Sequence, residues 1–209
     1  MKTSLFFSGV TVATPAPPPL PEKTIFWCDQ DGGTQRFPSD RQAIFDRMHA
    51  SEQTPLQAFV KAVSQAQERI WVVDEYLFAP AEGKKPMVKL GQILDWFKPG
   101  LAASDIRMLT KTHEEIDTEM LTLFEVLGDE ISLEPRRPTR CVIEVRTHLT
   151  KSHNYLHDRF AIIDDELWHF GGSVGGFHHT VSAASRGWSA LEHGAIEFFK
   201  MIWDPRTGK

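Results

Sequence analysis

Four polar residues in one short stretch have the types and spacing of a reactive site, namely His157, Arg159, Asp164 and Ser173. Side chains from 156 to 163 fit the two-residue period of a β-strand, in which every second side chain points the same way. His157 and Arg159 would therefore share one face, with a titratable imidazole beside a fixed cation. Asp164 fits the following turn, and a short return strand would complete a hairpin. That hairpin would bring His157, Arg159 and Ser173 within reach of one bound anion.

Phosphodiester cleavage is a reaction that these groups can perform. A neutral imidazole at His157 can attack phosphorus in line and later leave, which divides one difficult displacement into two easier ones. Arg159 can grip the non-bridging oxygens, while the Ser173 hydroxyl and the N–H groups of Gly171 and Gly172 add donors as charge shifts. A second histidine is the natural proton donor to the leaving alkoxide, because histidine titrates near neutrality. The reaction requires no metal ion and no other cofactor.

The same residues resemble the motif of the phospholipase D superfamily, which reads His-x-Lys, four residues, Asp, six residues, then Gly-Ser-x-Asn. The spacing from His157 to Asp164 matches this motif. Two features depart from it: Arg159 stands where the family usually has lysine, and Ser173 comes one residue late without the asparagine. Arginine keeps the charge, but its planar fork differs from an ammonium point charge. The motif occurs once in the chain.

This resemblance implies an activity and an assembly. Phospholipase D-type sites use two copies of the motif, so a chain with one copy implies a homodimer whose two His157 side chains meet about a twofold axis. One would be the nucleophile, forming a phosphohistidine, and the other the general acid. In relatives a glutamate after the serine turn supports the histidine, and Glu192 is the first candidate, with Glu197 the second. The implied function is a metal-independent phosphodiesterase, acting on nucleic acid rather than on lipid.

Three alternatives stay open. Another histidine of the same chain could replace the second His157, the available ones being His148, His153, His169 and His178. A catalytically silent phospholipase D-like module, binding a phosphate-bearing ligand or a protein partner, is favoured by the altered Gly-Ser-x-Asn element. A phospholipase or phosphatidyl transferase would be indicated by an interfacial amphipathic helix, and the sequence contains no convincing one.

Upstream of the motif, helical and strand patterns alternate. A capping box at 54–57 predicts a helix, a buried strand follows at 70–73, and the next segments are a helix at 88–97, a strand at 106–109 and a helix from a second capping box at 112–115. This order predicts a phospholipase D-like α/β sandwich with a mixed, largely parallel sheet flanked by helices. Asp74, Glu75 and Tyr76 follow the buried strand, where open α/β sheets place ligand-contacting residues, although a plain strand end looks the same.

Other segments allow two interpretations. Arg136, Arg137 and Arg140 form a basic loop that could bind a phosphate backbone or simply be solvated. Residues 174–185, rich in glycine, serine and histidine, predict an active-site loop leading into a short helix. Residues 188–203 fit a helix, and part of the same segment fits a strand.

Composition limits the class of protein. The 209 residues, 41% of them hydrophobic, suffice for one well-buried core. A net charge of -5 argues against a general polyanion binder but is compatible with a local basic cleft. No apolar run approaches the length of a membrane span, and we expect no stable membrane association. Cys28 and Cys141 lack the close cysteine or histidine neighbours of a zinc site, so we predict free thiols.

The chain divides into two predicted regions. Residues 1–50 fit an N-terminal arm with a proline-rich linker and an irregular lead-in, in which 25–28 could form a short strand and 40–48 a short helix. Residues 51–209 are the predicted phospholipase D-like domain. The first residues partly mimic a secretory signal, but polar residues interrupt the apolar stretch. We therefore expect a cytoplasmic protein, with secretion or a periplasmic location as the alternative.

Overall fold

The computed structural model describes residues 19–27, 41–49, 55–80, 85–135, 137–176 and 182–208. Within them, seven strands form one sheet in the order β1-β7-β6-β5-β2-β3-β4. The strands are β1 (Thr24–Trp27), β2 (Arg69–Val73), β3 (Asp105–Leu109), β4 (Val142–Arg146), β5 (Phe160–Ile163), β6 (Glu166–Phe170) and β7 (Ala183–Ser189). The helices are α1 (Arg41–Met48), α2 (Gln57–Gln65), α3 (Pro86–Leu94), α4 (Thr118–Ser132), α5 (Leu149–Ser152) and α6 (Ala195–Trp203).

The α/β class and the mixed sheet are confirmed, but the sheet is not largely parallel. Only β2 with β3 and β3 with β4 run parallel, whereas β1–β7, β7–β6, β6–β5 and β5–β2 are antiparallel. The physical reason lies in the connections. Helices α3 and α4 return the chain across the sheet between parallel strands, whereas β5 and β6 are joined by a two-residue turn that allows only antiparallel pairing.

Helices cover both faces of the sheet. On one face, Phe59 of α2, Ile93 of α3 and Phe124 of α4 pack in a cluster with alternate residues of β2. On the other face, α6 packs against the remaining residues of β2, and Trp71 stacks on Phe199 with ring centroids 4.7 Å apart. Strand β2 is thus buried on both faces, as its continuous apolar run predicts.

Two helices begin later than their capping boxes predict. Helix α2 starts after Leu56, which makes no side-chain cap. Helix α4 starts after Asp117, whose carboxylate accepts a hydrogen bond from Met120 N at 2.7 Å. The segment at 112–115 is a loop instead, because the chain is still bound to the sheet edge by a bridge between Lys111 and His148.

The predicted loop at 174–185 contains the beginning of strand β7, which pairs with both β6 and β1. Strand β7 requires a glycine at position 187, because φ of Gly187 is +95° and an added Cβ would lie 2.8 Å from Lys23 Cα. Strand β1 belongs to the sheet, although it lies before residue 51, where the domain is predicted to begin. The ambiguous segment at 188–203 ends in helix α6.

Two other expectations concern membranes and cysteines. No helix within the described ranges has the length and apolarity that a membrane crossing demands. Cys141 is a buried free thiol, as predicted, and Cys28 lies outside the described residues.

Candidate functional site

Three of the predicted residues lie at one edge of the sheet. Strand β5 runs antiparallel to β2 with Phe160 opposite Val73, so the residues before β5 lie beside those after β2. At the end of β6, Phe170 N donates to Arg159 O at 2.9 Å, so the turn carrying Ser173 leaves from the same edge. The predicted strand is shorter than expected, because β5 begins only at Phe160. His157 and Arg159 belong to the irregular segment before it.

Arg159 is held between acidic and aromatic side chains. Its Nε lies 3.6 Å from Asp74 Oδ1 and its Nη2 lies 3.7 Å from Glu75 Oε1. The guanidinium carbon lies 5.1 Å from the centroid of the Tyr76 ring, within the range of a cation–π contact. The side chain is 23% exposed. Arg159 is therefore a fixed cation with one open side, although two carboxylates already offset part of its charge.

His157 is the most accessible member of the site. Its side chain is 76% exposed, and Nδ1 lies 3.5 Å from Glu75 Oε1, whereas Glu75 is only 10% exposed. A carboxylate at this position can accept a hydrogen bond from one imidazole nitrogen after a small movement and so fix the tautomer. The other nitrogen, Nε2, would then be left unprotonated and free to attack.

Glu192, the first candidate for this supporting carboxylate, lies elsewhere. It is exposed in the turn after β7, where its N donates to Ser189 Oγ at 3.0 Å. Ser189 pairs with Glu166, at the end of the β5–β6 hairpin away from Arg159. Glu197, the second candidate, lies in the first turn of α6. Glu75 has a weaker signal in the sequence, which is that carboxylates after a buried strand lie at the ligand edge of an open sheet.

Asp74 connects the site to the glycine-serine turn. It is fully buried and accepts hydrogen bonds from Tyr76 N at 2.8 Å and from Val174 N at 2.9 Å. Burial raises the pKa of Asp74, while the hydrogen bonds from Tyr76 and Val174 and the charges of Arg159 and Lys89 oppose that rise. One carboxylate thus fixes the end of β2 and the residue that follows Ser173.

Two lysines lie close to Asp74 and Tyr76. Lys89 on α3 is only 5% exposed, and its burial lowers its pKa to about 7 despite the opposing charge of Asp74. Lys111 Nζ lies 3.5 Å from the centroid of the Tyr76 ring. Sequence reasoning missed both lysines, but Lys111 follows the end of β3, which neighbours β2, and could have been found by the same strand-end rule.

The glycine-serine turn has only part of its predicted donors available. Gly171 N donates to Ala183 O at 2.8 Å, so it joins the strand ladder instead of facing an anion. Gly172 and Ser173 are half-buried at the site edge. Ser173 O accepts from Gly176 N at 3.0 Å, which closes the turn.

Asp164 is at the opposite end of β5 from Arg159, and so it does not join the site. Its carboxylate accepts hydrogen bonds from the backbone N–H groups of Gln67, Glu68 and Arg69, at distances from 2.7 to 3.2 Å. Asp164 has φ +54°, a left-handed conformation that aspartate tolerates better than most residues. Its role is to join the β5–β6 turn to the start of β2.

The basic loop also lies away from the site. Arg137 donates to the carbonyls of residues 101–103, which precede β3, and Arg140 pairs with Asp129 at 2.6 Å on the surface. These residues adjoin the amino ends of the parallel strands, whereas Asp74 follows a carboxyl end. The two arginines therefore do not form a phosphate clamp at His157, and Arg136 lies outside the described residues.

The other histidines have partners of their own. His148 Nε2 contacts Ile202 O at 3.3 Å, and burial lowers its pKa. His153 is fully buried, with Nδ1 3.2 Å from the Tyr155 hydroxyl. His169 Nδ1 lies 3.6 Å from Asp158 Oδ2, and His178 lies outside the described residues. Across the described ranges, no three histidine, cysteine or acidic side chains cluster closely enough to hold a metal ion.

The sequence matches no family model, and a comparison with curated proteins gave no match. Solved structures do show similarity. A phosphatidylserine synthase from Haemophilus influenzae Rd KW20 is 14% identical with a TM-score of 0.44, covering 71% of this chain and 35% of its own. NucT from Helicobacter pylori is 9% identical with a TM-score of 0.43, covering 87% of this chain and 95% of its own. TrmBL2, an archaeal chromatin protein, is 10% identical with a TM-score of 0.34, covering 69% and 46%.

This chain therefore spans about a third of the length of the synthase. With identities of 14% or less and TM-scores of 0.44 or less, these similarities assign no function.

Proposed function

We propose that this chain is a phospholipase D-type phosphodiesterase that cleaves nucleic acid without a metal ion. His157 Nε2 attacks phosphorus and forms a phosphohistidine, while the leaving oxygen takes a proton from a general acid. Water then attacks the phosphohistidine and frees the imidazole. Arg159 and Lys111 supply positive charge for the phosphate oxygens, and Glu75 holds the His157 ring.

The single observation that carries this proposal is the placement of His157. An imidazole that is 76% exposed, with a nearly buried carboxylate 3.5 Å from its Nδ1, has one nitrogen within reach of that carboxylate and the other open to a substrate. Arg159 lies beside the same carboxylate, so a phosphate attacked by His157 would lie close to the positive charge of Arg159.

The general acid in this proposal is His157 of a second copy of the chain. An exposed imidazole at a sheet edge can meet its symmetry mate across a twofold axis, because a twofold interface places the same residue on both sides. The homodimer would then contain one shared pocket with two histidines, two arginines and two serine turns.

The test is cleavage of single- and double-stranded DNA and RNA in EDTA by the wild type, His157→Ala and His49→Ala. His49 is an exposed histidine of the α1 end and serves as the matched control. We expect cleavage by the wild type and by His49→Ala, and a loss of at least about a thousandfold in His157→Ala. Equal rates for His157→Ala and wild type would refute the mechanism.

A second candidate function is a catalytically silent module that binds phosphate-bearing ligands. The observation favouring it is that Asp74 and Glu75 lie within 3.7 Å of Arg159 and offset its charge. The same assay separates the two functions when it is read with filter binding of the labelled substrates. Salt-sensitive binding by both wild type and His157→Ala, without cleavage by either, would support the silent module.

A further inference from the structure

A cleft of about 530 Å³ lies between helix α6 and the face of the sheet that this helix covers. Its apolar walls come from Phe160 on β5, Leu167 on β6, Trp188 on β7 and Phe198 on α6. Within the described part of the chain, no residue of the proposed phosphodiesterase site lines this cleft. Its volume and lining are typical of pockets that bind small organic groups. Any reaction inside it would therefore be separate from the chemistry proposed at His157.

Three polar side chains that line the cleft belong to adjacent parts of the sheet. His169 lies on β6, which is the middle strand of β7, β6 and β5. Asp158, in the segment just before β5, has its Oδ2 3.6 Å from His169 Nδ1. Ser185, on β7, is paired directly opposite His169. The imidazole therefore lies between a carboxylate on one side and a hydroxyl on the other.

A β-bulge in β7 turns Ser185 toward the cleft. His169 and the residue two positions before it pair with Ser185 and Trp188, which are three positions apart on β7. The extra residue lies in the stretch that contains Gly187, whose φ of +95° suits a bulge. In a regular strand, two residues three positions apart would point to opposite faces. Bulges are frequent beside active sites, where they redirect a side chain.

The geometry around His169 suits the transfer of a proton. Directly opposite side chains on paired antiparallel strands have Cβ atoms about 4.5 to 5.5 Å apart. Rotation about the Cα–Cβ bond of Ser185 can therefore bring its Oγ within hydrogen-bond reach of the imidazole, and such contacts often tighten only when a substrate binds. With Nδ1–H directed to Asp158, Nε2 is the nitrogen left to accept a proton from the serine.

We propose that Ser185, His169 and Asp158 form a separate catalytic site, which hydrolyses esters of small apolar carboxylic acids in this cleft. Ser185 Oγ attacks the carbonyl carbon and passes its proton to His169 Nε2, which gives it to the leaving alkoxide as the C–O bond breaks. Water then attacks the acyl-serine and gives a proton to Nε2, and that proton returns to Oγ as the acid leaves. Asp158 is a positioning residue, because it acts only through the imidazole.

The wall formed by α6 supports the same reaction. Gly194 and Ala195 line the cleft where α6 begins, so the positive end of the helix dipole favours the negative charge that develops on the carbonyl oxygen. Trp188 and Phe198 offer apolar surface to the acyl group of the substrate. The volume of the cleft restricts that group to a small one.

The first experiment treats the full-length wild type with a fluorophosphonate, which transfers its phosphonyl group to an activated serine hydroxyl with loss of fluoride. Peptide mass spectrometry should find the adduct on Ser185, and labelling of His169→Ala should be at least about a hundredfold slower, because the base is missing. The adduct on the wild type needs no substitution, so it does not depend on how a variant folds. Absence of the adduct, or equal labelling of the exposed Ser64 on α2, would overturn the proposal.

The second experiment measures hydrolysis of p-nitrophenyl butyrate. Ser185→Ala should lose at least about a thousandfold in kcat, whereas Ser64→Ala should match the wild type. Asp158→Asn should lower kcat about a hundredfold with KM unchanged, and Asp158→Glu should restore part of the loss. Removing an exposed carboxylate that is merely structural would not divide kcat from KM in this way. Hydrolysis by Ser185→Ala at the wild-type rate would mean that an imidazole acts alone, and the proposed serine nucleophile would be refuted.

Discussion

Lys89 and Asp74 bring two ionisable groups into the interior under the site. Lys89 is 5% exposed, and Asp74 is fully buried with two backbone N–H donors on its carboxylate. Burial disfavours the charged form of each, and each partly restores the other's charge. The charge of Lys89 on α3 is therefore coupled to the charge of Asp74, which in turn lies beside Arg159.

The first prediction concerns the pH dependence of stability. The pKa of Lys89 falls to about 7 in the folded chain from an ordinary value of 10.5, so the unfolded state binds more protons between these values. The free energy of unfolding should therefore rise with pH between about 7 and 10.5, and this lysine should add no further pH dependence below or above that window. Urea unfolding of wild type and Lys89→Met at a series of pH values measures it.

In Lys89→Met this contribution should disappear, so the difference between the two unfolding curves should change steadily across the window. Lys61→Met is the control, because Lys61 is an exposed lysine on α2. A pH-independent difference between wild type and Lys89→Met would contradict the prediction.

At the residue scale, the motif predicts part of the proposed site but not all of it. His157, Arg159 and Ser173 reach one sheet edge, as their spacing predicts. Glu75 could not be chosen over Glu192 from spacing, because its approach to His157 depends on the pairing of β2 with β5, which are far apart in sequence.

At the scale of elements, the β5–β6 hairpin is attached to the start of β2 through Asp164. The carboxylate accepts three backbone N–H groups, and the residue itself has φ +54°. Hydrogen bonds to a charged group contribute more than neutral ones, and a left-handed conformation costs a non-glycine residue about 1 to 2 kcal/mol. Substitutions can separate these two effects.

The second prediction is an order of stability for variants of Asp164. Asp164→Asn should lose about 1 to 2 kcal/mol, because it keeps one acceptor and tolerates the left-handed conformation. Asp164→Gly should lose more, and Asp164→Ala the most, with about 1 kcal/mol between the last two from backbone strain. Urea unfolding gives these values.

The control is Asp129→Ala, which removes an exposed ion pair with Arg140 and should change stability by less than about 1 kcal/mol. If Asp164→Ala and Asp164→Gly unfold at the same urea concentration, strain at this position has no measurable effect.

Predicting elements from the sequence worked best where helices and buried strands alternate. Strands β2 and β3 and helix α3 lie within the predicted segments or extend slightly beyond them. In each of these segments the arrangement of apolar residues fits only one type of element. Strand β7 was missed, since its glycine and serine content is typical of loops. Tertiary pairing on both sides overrides that local preference.

At the scale of the whole molecule, the proposed site is complete only when two chains meet. The third prediction follows from this. When wild type and His157→Ala are mixed in equal amounts through refolding, only about one quarter of the dimers contain two His157 side chains. The EDTA-resistant cleavage rate should then fall to about a quarter of that of an all-wild-type sample at equal total protein.

Refolding wild type with His49→Ala is the control and should leave the rate unchanged. A fall to one half in the mixture with His157→Ala would mean that each chain carries an independent site. Sedimentation velocity of the same samples reports the dimer directly.

The hydrogen bond from Val174 N to Asp74 joins residues 100 positions apart in the sequence. Contacts of such long range form late in folding, since the intervening chain must first be ordered. During synthesis Asp74, which follows β2, leaves the ribosome long before the turn with Val174. In a growing chain the proposed phosphate-binding edge therefore stays unassembled until residue 174 has left the ribosome, which would keep the proposed nuclease inactive beside its own messenger RNA.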